Sequence, residues 1–285
     1  MSERLFLRLD DDPVQGPEAD APAGTLQAAP VSTALRLHIS HILLCSERVA
    51  AGHEVLERVL PDGAVRLIFN LGEVCSPSAV VVGASTAPAL VRLRGRIDGV
   101  SLTLRPGRAA GLLGLPAGEL AGTTVHLETL WGGEGTRLLE RMARTPDDAA
   151  RMAMLHAALQ RRLCEADGNA RSQRAATHAA RLIAASGGGR PLREVAETVG
   201  VGERRLQQLF HAHVGLPPRA WSRLARLHGC LRALRRQTNP DWAQMAIDHG
   251  YYDQSHLANE FRALCGLTPT EFLGRAVSGS SKTPD

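Results

Sequence analysis

The chain has 285 residues, of which 44% are hydrophobic and 22% are charged, and its formal net charge is +4. This length exceeds what one hydrophobic core usually organises, so we expect two domains. No stretch approaches the roughly 20 apolar residues of a membrane span, and the start lacks the basic residues and apolar run of a signal peptide. We therefore expect a soluble, cytoplasmic protein that does not bind membranes.

The cysteines also exclude some kinds of site. They number five and contain no Cys-x-x-Cys pair, so neither a zinc site nor a disulfide framework is expected. Their positions are Cys45, Cys75, Cys164, Cys230 and Cys265.

The first residues are polar and rich in Pro, Ala and Asp, which predicts a flexible tail over 1–30. From Ala34 the pattern becomes that of short strands. Segment 64–72 alternates apolar and other residues, and the turn signal LPDG precedes it. Further strands follow, and Ile97-Asp98-Gly99 is expected to join the last two as a hairpin. Together the strands predict a small antiparallel barrel or sandwich.

Helical patterns follow the strands at 107–116, 134–144 and 146–163. The third has Pro146 and two aspartates in its first turn, as the helix dipole favours. It carries an apolar stripe, which either packs on its own domain or forms a dimer seam. The stripe consists of Met152, Leu155, Leu159 and Leu163. We expect a β-rich domain with C-terminal helices over 31–165 and a linker over 166–173.

Catalytic or metal-binding sets are hard to find in this first half. His38, His41 and Glu47 are the best metal candidates, but an odd separation places the two histidines on opposite faces of a strand. His53 and His126 have no evident partners. We therefore expect no cofactor, no metal and no enzymatic activity.

Residues 192–273 contain the same pattern twice. The offset between matching residues is 50 at the front of each unit and 51 from the leucine onward, so one residue is inserted in the second turn. The pairs are Ala196 and Ala246, Gly200 and Gly250, Leu206 and Leu257, Phe210 and Phe261, and Gly215 and Gly266. A small residue within a first helix and a glycine at the turn are typical of two closely crossing helices. Each unit is therefore predicted to be a helix-turn-helix, with Met245 and Ile247 among the interior residues of the second.

The outward residues of each second helix are those whose donors and acceptors match base edges in the major groove. Alone, one such face is more often a solvated surface, but its repetition favours DNA binding. The residues are Arg204, Arg205, Gln207, Gln208 and His211 in the first unit, and Gln254, Ser255, His256, Asn259 and Arg262 in the second.

A long helix is predicted between the units, from Arg219 to Arg236, with Pro217 and Pro218 at its start. A helix of about 18 residues spans roughly 27 Å, and successive major-groove faces lie about 34 Å apart. Two rigidly spaced units could thus enter adjacent grooves of one duplex.

Charge divides the chain in the same way. Residues 171–285 carry 16 basic and 9 acidic residues, a net of +7, whereas residues 1–170 carry 17 and 20, a net of −3. Phosphate neutralisation supplies most non-specific affinity for DNA, so the basic half is the expected DNA-binding half.

The stretch from about 171 to 275 resembles the DNA-binding domain of the AraC/XylS family of bacterial transcription regulators. Its most specific string is GYYDQSHLANEFRALCGLTPTEF at 250–272. The residues that match the family pattern are Gly250, Tyr251, Asp253, Gln254, Ser255, Phe261, Gly266 and Pro269. Three positions depart from it: Leu257 replaces a common aromatic, Cys230 a usual Ala, and Asn259 a frequent Arg. The resemblance sets this domain at 174–275, followed by a disordered tail over 276–285.

The first half is similar to a sensor-type domain that precedes this DNA-binding domain in one subgroup of AraC-like regulators. The strings VLPDG, LIFNLG, RPG and LPAGEL carry this second resemblance. It implies a sensor and dimerisation role for residues 31–165. The expected fold class is α+β: a small antiparallel β barrel or sandwich followed by helices, then an all-α domain with two helix-turn-helix units joined by a long helix.

Two functional hypotheses follow. The first is a sequence-specific transcription regulator controlled by a small effector at the N-terminal domain. The second is a barrel-domain small-molecule binder or enzyme with an accessory DNA-binding module, which would need a convergent set of acid, base or metal residues. Double-stranded DNA is the expected partner. RNA polymerase, a small effector and a second copy of the chain are further candidates.

Individual contacts can also be assigned. Base edges are the expected targets of Arg204, Gln207 and Gln208 on the first unit and of Gln254, Ser255, His256 and Asn259 on the second. Phosphates are the expected targets of Arg205, Arg219, Arg223 and Arg262. Because the second unit is nearly uncharged on its outward face, we expect the first to dominate sequence recognition.

Overall fold

The structure is a computed structural model that describes residues 3–7, 18–19, 21–72, 77–165, 170–234 and 239–280. Its N-terminal part is built from short strands. They are β1 (Glu3–Leu7), β2 (Glu18–Ala19), β3 (Leu26–Ala29), β4 (Ile39–Arg48), β5 (Val55–Val59), β6 (Arg66–Asn70), β7 (Ser78–Val82), β8 (Ala89–Leu93), β9 (Arg96–Leu104) and β10 (Thr124–His126).

These strands form two sheets. The larger has the order β10-β7-β6-β9-β4-β3 and is antiparallel throughout, and the smaller has the order β2-β1-β5-β8. The alternation predicted for segment 64–72 is confirmed, because Val65, Leu67, Phe69 and Leu71 are all buried. The N-terminal domain is therefore a sandwich-like β domain, as the sequence predicts.

The prediction of a flexible tail over 1–30 needs correction. Residues Glu3–Leu7 form β1, which pairs in parallel with β5, and Leu26–Ala29 form β3 at the edge of the larger sheet. Leu5 and Leu7 are buried, and this burial together with the backbone pairing holds the strand in place. Within so polar a segment, a five-residue strand gives little signal. Residues 8–17 and 20 lie outside the described part of the chain.

The hairpin expected at Ile97-Asp98-Gly99 is also wrong. These residues lie inside β9, which pairs with β4 from Arg96 to Leu104. A Cβ on Gly99 would stand 2.4 Å from the carbonyl oxygen of Phe69, so this glycine permits a close backbone approach instead of a turn. The chain changes sheets earlier, between β8 and β9, where Gly95 has a φ of 60°.

The described helices of the first half include the three that the sequence predicts, at 107–116, 134–144 and 146–163, and one that it does not, at Leu127–Trp131. They are α1 (Ala109–Leu113), α2 (Leu127–Trp131), α3 (Gly133–Arg144) and α4 (Asp148–Glu165), and a short 3₁₀ helix spans Ala117–Leu120. In α4, Met152, Leu155 and Leu159 are buried against their own domain. The guanidinium of Arg151 binds both carboxylate oxygens of Asp98, at 3.0 and 3.2 Å, and so ties α4 to β9.

The C-terminal half is helical. It contains α5 (Ala170–Ala185), α6 (Leu192–Thr198), α7 (Glu203–His213), α8 (Pro218–Leu234), α9 (Trp242–Asp248), α10 (Gln254–Cys265) and α11 (Pro269–Ser280). Residues 170–173, expected in a linker, already belong to α5, and residues 276–280, expected in a disordered tail, continue α11. The rest of that tail, 281–285, is outside the described residues. In the part of the chain that is described, no helix is long and apolar enough to cross a membrane.

Candidate nucleic-acid interface

The first helix-turn-helix unit consists of α6 and α7. Val195 and Ala196 of α6 are buried, and the amide of Val201 donates to the carbonyl of Ala196 at 3.0 Å to close the turn. Gly200 has a φ of 72° at this turn, a conformation that other residues rarely adopt. Leu206 and Phe210 of α7 are buried, so the opposite side of α7 faces solvent.

The second unit, α9 and α10, repeats this geometry. The amide of Tyr251 donates to the carbonyl of Ala246 at 2.8 Å, and Gly250 has a φ of 74°. The offset between the units is 50 residues up to this bond and 51 from the start of the second helices. The inserted residue is therefore Tyr252, which is 89% exposed. One expectation fails, because Ile247 is 64% exposed and does not belong to the interior.

The two units differ in how their helices begin. Asp241 accepts hydrogen bonds from the amides of Ala243 and Gln244, and Asp253 accepts one from the amide of His256 at 2.7 Å. In the first unit, the residues that precede the helices are Pro191 and Gly202, which provide no side-chain cap. Side-chain caps typically stabilise a helix by about 1 kcal/mol, so the second unit depends more on local capping.

On α7, the recognition helix of the first unit, the predicted contact residues form one exposed face. Gln207 and Gln208 follow Arg204 by three and four residues, and His211 follows them by four and three, so these side chains lie on one side of the helix. All four are exposed. Arg205 is also exposed but is turned toward α5, with Nη2 donating to the hydroxyl of Ser172 at 3.3 Å. The structure thus brings together four of the five outward residues predicted for this helix.

On α10, the recognition helix of the second unit, Ser255, Asn259 and Arg262 form an exposed face beside exposed Gln254. His256 differs, because its side chain is half-buried. Its Nδ1 accepts a hydrogen bond from the amide of Tyr252 at 3.2 Å, and its ring stands edge-on to Tyr251 at 5.5 Å. His256 is therefore engaged in the turn.

The connecting helix α8 carries the remaining predicted contacts. It begins at Pro218, close to the predicted start, and its apolar side is buried. Arg219 is exposed, and no ion pair joins it to any described residue. Arg223 differs, since its guanidinium forms two hydrogen bonds with Glu260 of α10, at 2.7 and 2.9 Å. The bonds to Glu260 raise the pKa of Arg223.

Buried thiols at this site offer no reactive group. Burial raises the pKa of Cys230 in α8 to about 12, and burial also raises the pKa of Cys265 at the end of α10. Both thiols stay protonated near neutral pH and pack as small apolar side chains. Within the described residues, no group of three or more His, Cys, Asp or Glu could hold a metal ion.

The N-terminal domain contacts both recognition helices near their C-terminal ends. The ring of His211 lies so close to Gly118 that a Cβ there would be 2.6 Å from it. Arg58 of β5 binds Glu3 at 2.5 Å and donates to the carbonyl of Cys265 at 3.4 Å. His228 of α8 also bonds the carbonyl of Pro61 at 3.0 Å. These contacts could not be predicted from local patterns, because each joins residues far apart in the chain.

Comparison with known families supports this geometry. A profile for a helix-turn-helix domain matches residues 195–275, which include both units and α8. The C-terminal part of this chain is an AraC-type helix-turn-helix domain. The match supports DNA binding by this part of the chain. A second profile, for a domain of unknown function (DUF6597), matches residues 27–126 of the β domain. No curated protein matches the chain.

Solved structures of AraC-type proteins are similar to the chain. A transcriptional regulator with an AraC-type DNA-binding domain from Chromobacterium violaceum is 25% identical over 40% of this chain and 100% of its own, with a TM-score of 0.35. ToxT from Vibrio cholerae O395 is 10% identical over 88% of this chain and 98% of its own, with a TM-score of 0.40. Wild-type ToxT from Vibrio cholerae strain SCE256, bound to an unsaturated fatty acid, is 12% identical over 81% of this chain and 90% of its own, with a TM-score of 0.38.

Proposed function

We propose that this AraC-type regulator binds a specific DNA site through α7 and α10, and that a small effector at the N-terminal domain controls this binding. The observation that carries the proposal is the pair of matching units on one connecting helix, each with an exposed polar recognition face. Gln and Asn side chains form paired bonds with adenine, and Arg does so with guanine, so these faces suit base recognition.

The contacts we assign follow exposure. Arg204, Gln207 and Gln208 approach base edges from α7, and Gln254, Ser255 and Asn259 do so from α10. His256 stabilises the turn beside them. Phosphates are bound by Arg205, Arg219 and Arg262, and the exposed hydroxyl of Tyr252 joins this set near the N-terminal end of α10. Arg223, which Glu260 already engages, does not belong to it.

A binding experiment tests the DNA part of the proposal. Duplexes selected from a random library by the purified wild-type protein are compared with scrambled duplexes of equal length. We expect the selected sites to bind about 10³-fold tighter or more, as specific sites do. Equal affinity for both would contradict sequence-specific binding.

Two variants separate the roles of individual side chains. Gln207→Ala should cost about 1 to 3 kcal/mol at the selected site and relax the preference at one base pair. Arg219→Ala should weaken binding to all duplexes alike and lower the salt slope by about one. A Gln207→Ala variant that keeps the full base preference would refute the assignment of α7. Gln254→Ala on α10 should have a smaller effect, because the second unit has fewer charged contacts.

Effector control is supported by the contacts between the domains. Gly118 and Arg58 of the N-terminal domain touch the ends of α7 and α10, so a change in that domain can alter both recognition helices. Genome-wide mapping of bound sites, with and without candidate metabolites, tests this part. We expect at least one metabolite to change occupancy and to shift the melting temperature of the purified protein. A metabolite that changes occupancy without binding the protein would argue for indirect control.

A further inference from the structure

An ion pair joins α8 to the recognition helix of the second unit. Nε of Arg223 donates to Oε2 of Glu260 at 2.7 Å, and Nη2 donates to Oε1 at 2.9 Å. The side chains are only 37% and 20% exposed. Two parallel bonds between a planar guanidinium and a carboxylate fix the orientation of both groups as well as their distance.

The place of Glu260 in α10 makes this orientation relevant to DNA. The residue before it, Asn259, lies on the exposed face, and the residue after it, Phe261, is buried. A rotation of α10 about its axis would therefore move Glu260 and Asn259 together. A bond that holds Glu260 also sets the direction of the face that approaches bases.

A second arginine of α8 holds the same unit at its turn. Nη1 of Arg226 donates to the carbonyl of Gly250 at 3.2 Å, and its guanidinium lies 5.9 Å from the centre of the Tyr251 ring. Arg223 and Arg226 are three residues apart on α8 and so lie on one side of that helix. Together they attach the second unit to α8 at its turn and midway along α10.

We propose that Arg223 is a positioning residue: its pairing with Glu260 fixes the angle of α10 relative to α8, and thereby the spacing between the DNA half-sites that α7 and α10 bind. This inference rests on the proposed function, in which both helices enter the major groove. It also replaces the expectation that Arg223 binds phosphate.

Charge distinguishes the two roles. The logarithm of the DNA-binding constant falls linearly with the logarithm of the salt concentration. The steepness of this slope rises by about 0.9 for each phosphate that the protein neutralises. The Arg223–Glu260 pair has no net charge, so its removal as a pair leaves this slope unchanged. Arg219 is the matched control, because it lies one turn earlier on α8 and is exposed.

The experiment uses the full-length protein and duplexes selected from a random library by the wild type. Each duplex is also made with one base pair added or removed between the half-sites. Affinities are measured from about 50 to 200 mM salt for Arg223→Ala/Glu260→Ala, for the exchanged pair Arg223→Glu/Glu260→Arg, and for Arg219→Ala. Thermal melting of each variant shows whether it folds.

We expect the double alanine variant to bind the selected duplex on the order of tenfold more weakly, as couplings between contacting residues allow. It should lose most of its discrimination between spacings and keep the wild-type salt slope. The exchanged pair should recover that discrimination. Arg219→Ala should lower the slope by about 0.9 and leave spacing discrimination intact.

Three results would overturn the proposal. The first is a double alanine variant whose slope falls as much as that of Arg219→Ala, which would make Arg223 a phosphate contact. The second is a double alanine variant with wild-type spacing discrimination. The third is an exchanged pair that melts like the wild type yet does not recover discrimination. Failure of the wild type to prefer any duplex would instead contradict the proposed function. The coupling of Arg223 to Glu260 would then be measured by a double-mutant cycle in the free energy of unfolding.

Discussion

At the scale of single residues, the turn glycines are the most exacting positions of the DNA-binding domain. Gly250 has a φ of 74°, and the nearest atom to an added Cβ is Cδ of Arg226 at an ordinary 3.6 Å. A substitution there is limited by backbone conformation and not by space. A left-handed conformation costs most residues about 1 to 2 kcal/mol, and a β-branched side chain is an outlier there.

We therefore expect Gly250→Val to destabilise the second unit by about 2 kcal/mol or more and to weaken DNA binding. Gly250→Asn is the matched control, because asparagine adopts positive φ more readily. Chemical unfolding and binding to the selected duplex measure both effects. Equal stability of the valine variant and the wild type would refute the assigned turn.

A buried histidine makes the first unit sensitive to acid. Burial, and to a lesser degree the charge of Arg205, lowers the pKa of His213 below its ordinary value of 6.5. Between the folded and unfolded pKa values the unfolded chain binds more protons, so stability is complete above about pH 6.5 and falls as the pH drops below it. His213→Gln should reduce this fall in a series of melting temperatures from pH 7.5 to 5. Parallel curves for both proteins would show that His213 does not contribute.

At the scale of elements, α10 is held at its start by a single aspartate. Asp253→Ala removes the acceptor for the amide of His256 and should cost about 1 kcal/mol. The loss should also weaken binding by α10, since His256 and Tyr252 share this turn. Asp253→Asn retains a capping oxygen and should cost much less. A melting temperature that is the same for the alanine and asparagine variants would mean that the cap does not stabilise the helix.

Elements with strong local patterns could be predicted from the sequence, and those determined by distant contacts could not. Apolar spacing, together with Gly200 and Gly250, predicts the helices of both units. The same spacing predicts which side of each helix is exposed. The strand β1 was missed because its partner, β5, lies about 50 residues away. The prediction of a turn at Gly99 is wrong because the sequence alone does not distinguish a glycine that permits close backbone approach from a glycine in a turn.

The same reason explains what was missed in the candidate site. Glu260 is 37 residues from Arg223, and no periodicity relates residues on two different helices. The apolar spacing of α8 predicts that Arg223 lies near the surface. An arginine there is a natural candidate for a phosphate contact. Only the packing of α10 against α8 reveals the carboxylate beside it.

At the scale of the whole molecule, the two domains are packed directly on each other. The β domain meets α5, α7, α8 and the end of α10, and the buried residues of both halves form one continuous cluster. The hydroxyl of Thr177 in α5 donates to the carbonyl of Pro106 at 3.2 Å, and Gly107 beside it has no space for a side chain. Such packing couples the stability of the helical C-terminal domain to that of the β domain.

Two glycines allow this coupling to be measured. Gly107 and Gly114 have nearly equal φ angles, of 84° and 79°. A Cβ on Gly107 would stand 2.4 Å from Oγ1 and 3.0 Å from the amide nitrogen of Thr177. A Cβ on Gly114 would have no such neighbour within 4 Å. Gly114→Ala should therefore show the backbone cost alone, about 1 to 2 kcal/mol. Gly107→Ala should cost more and separate the domains, which would appear as two unfolding transitions in place of one. Equal losses in the two variants would show that the contact between α5 and the β domain adjusts without cost, and that the domains are not coupled there.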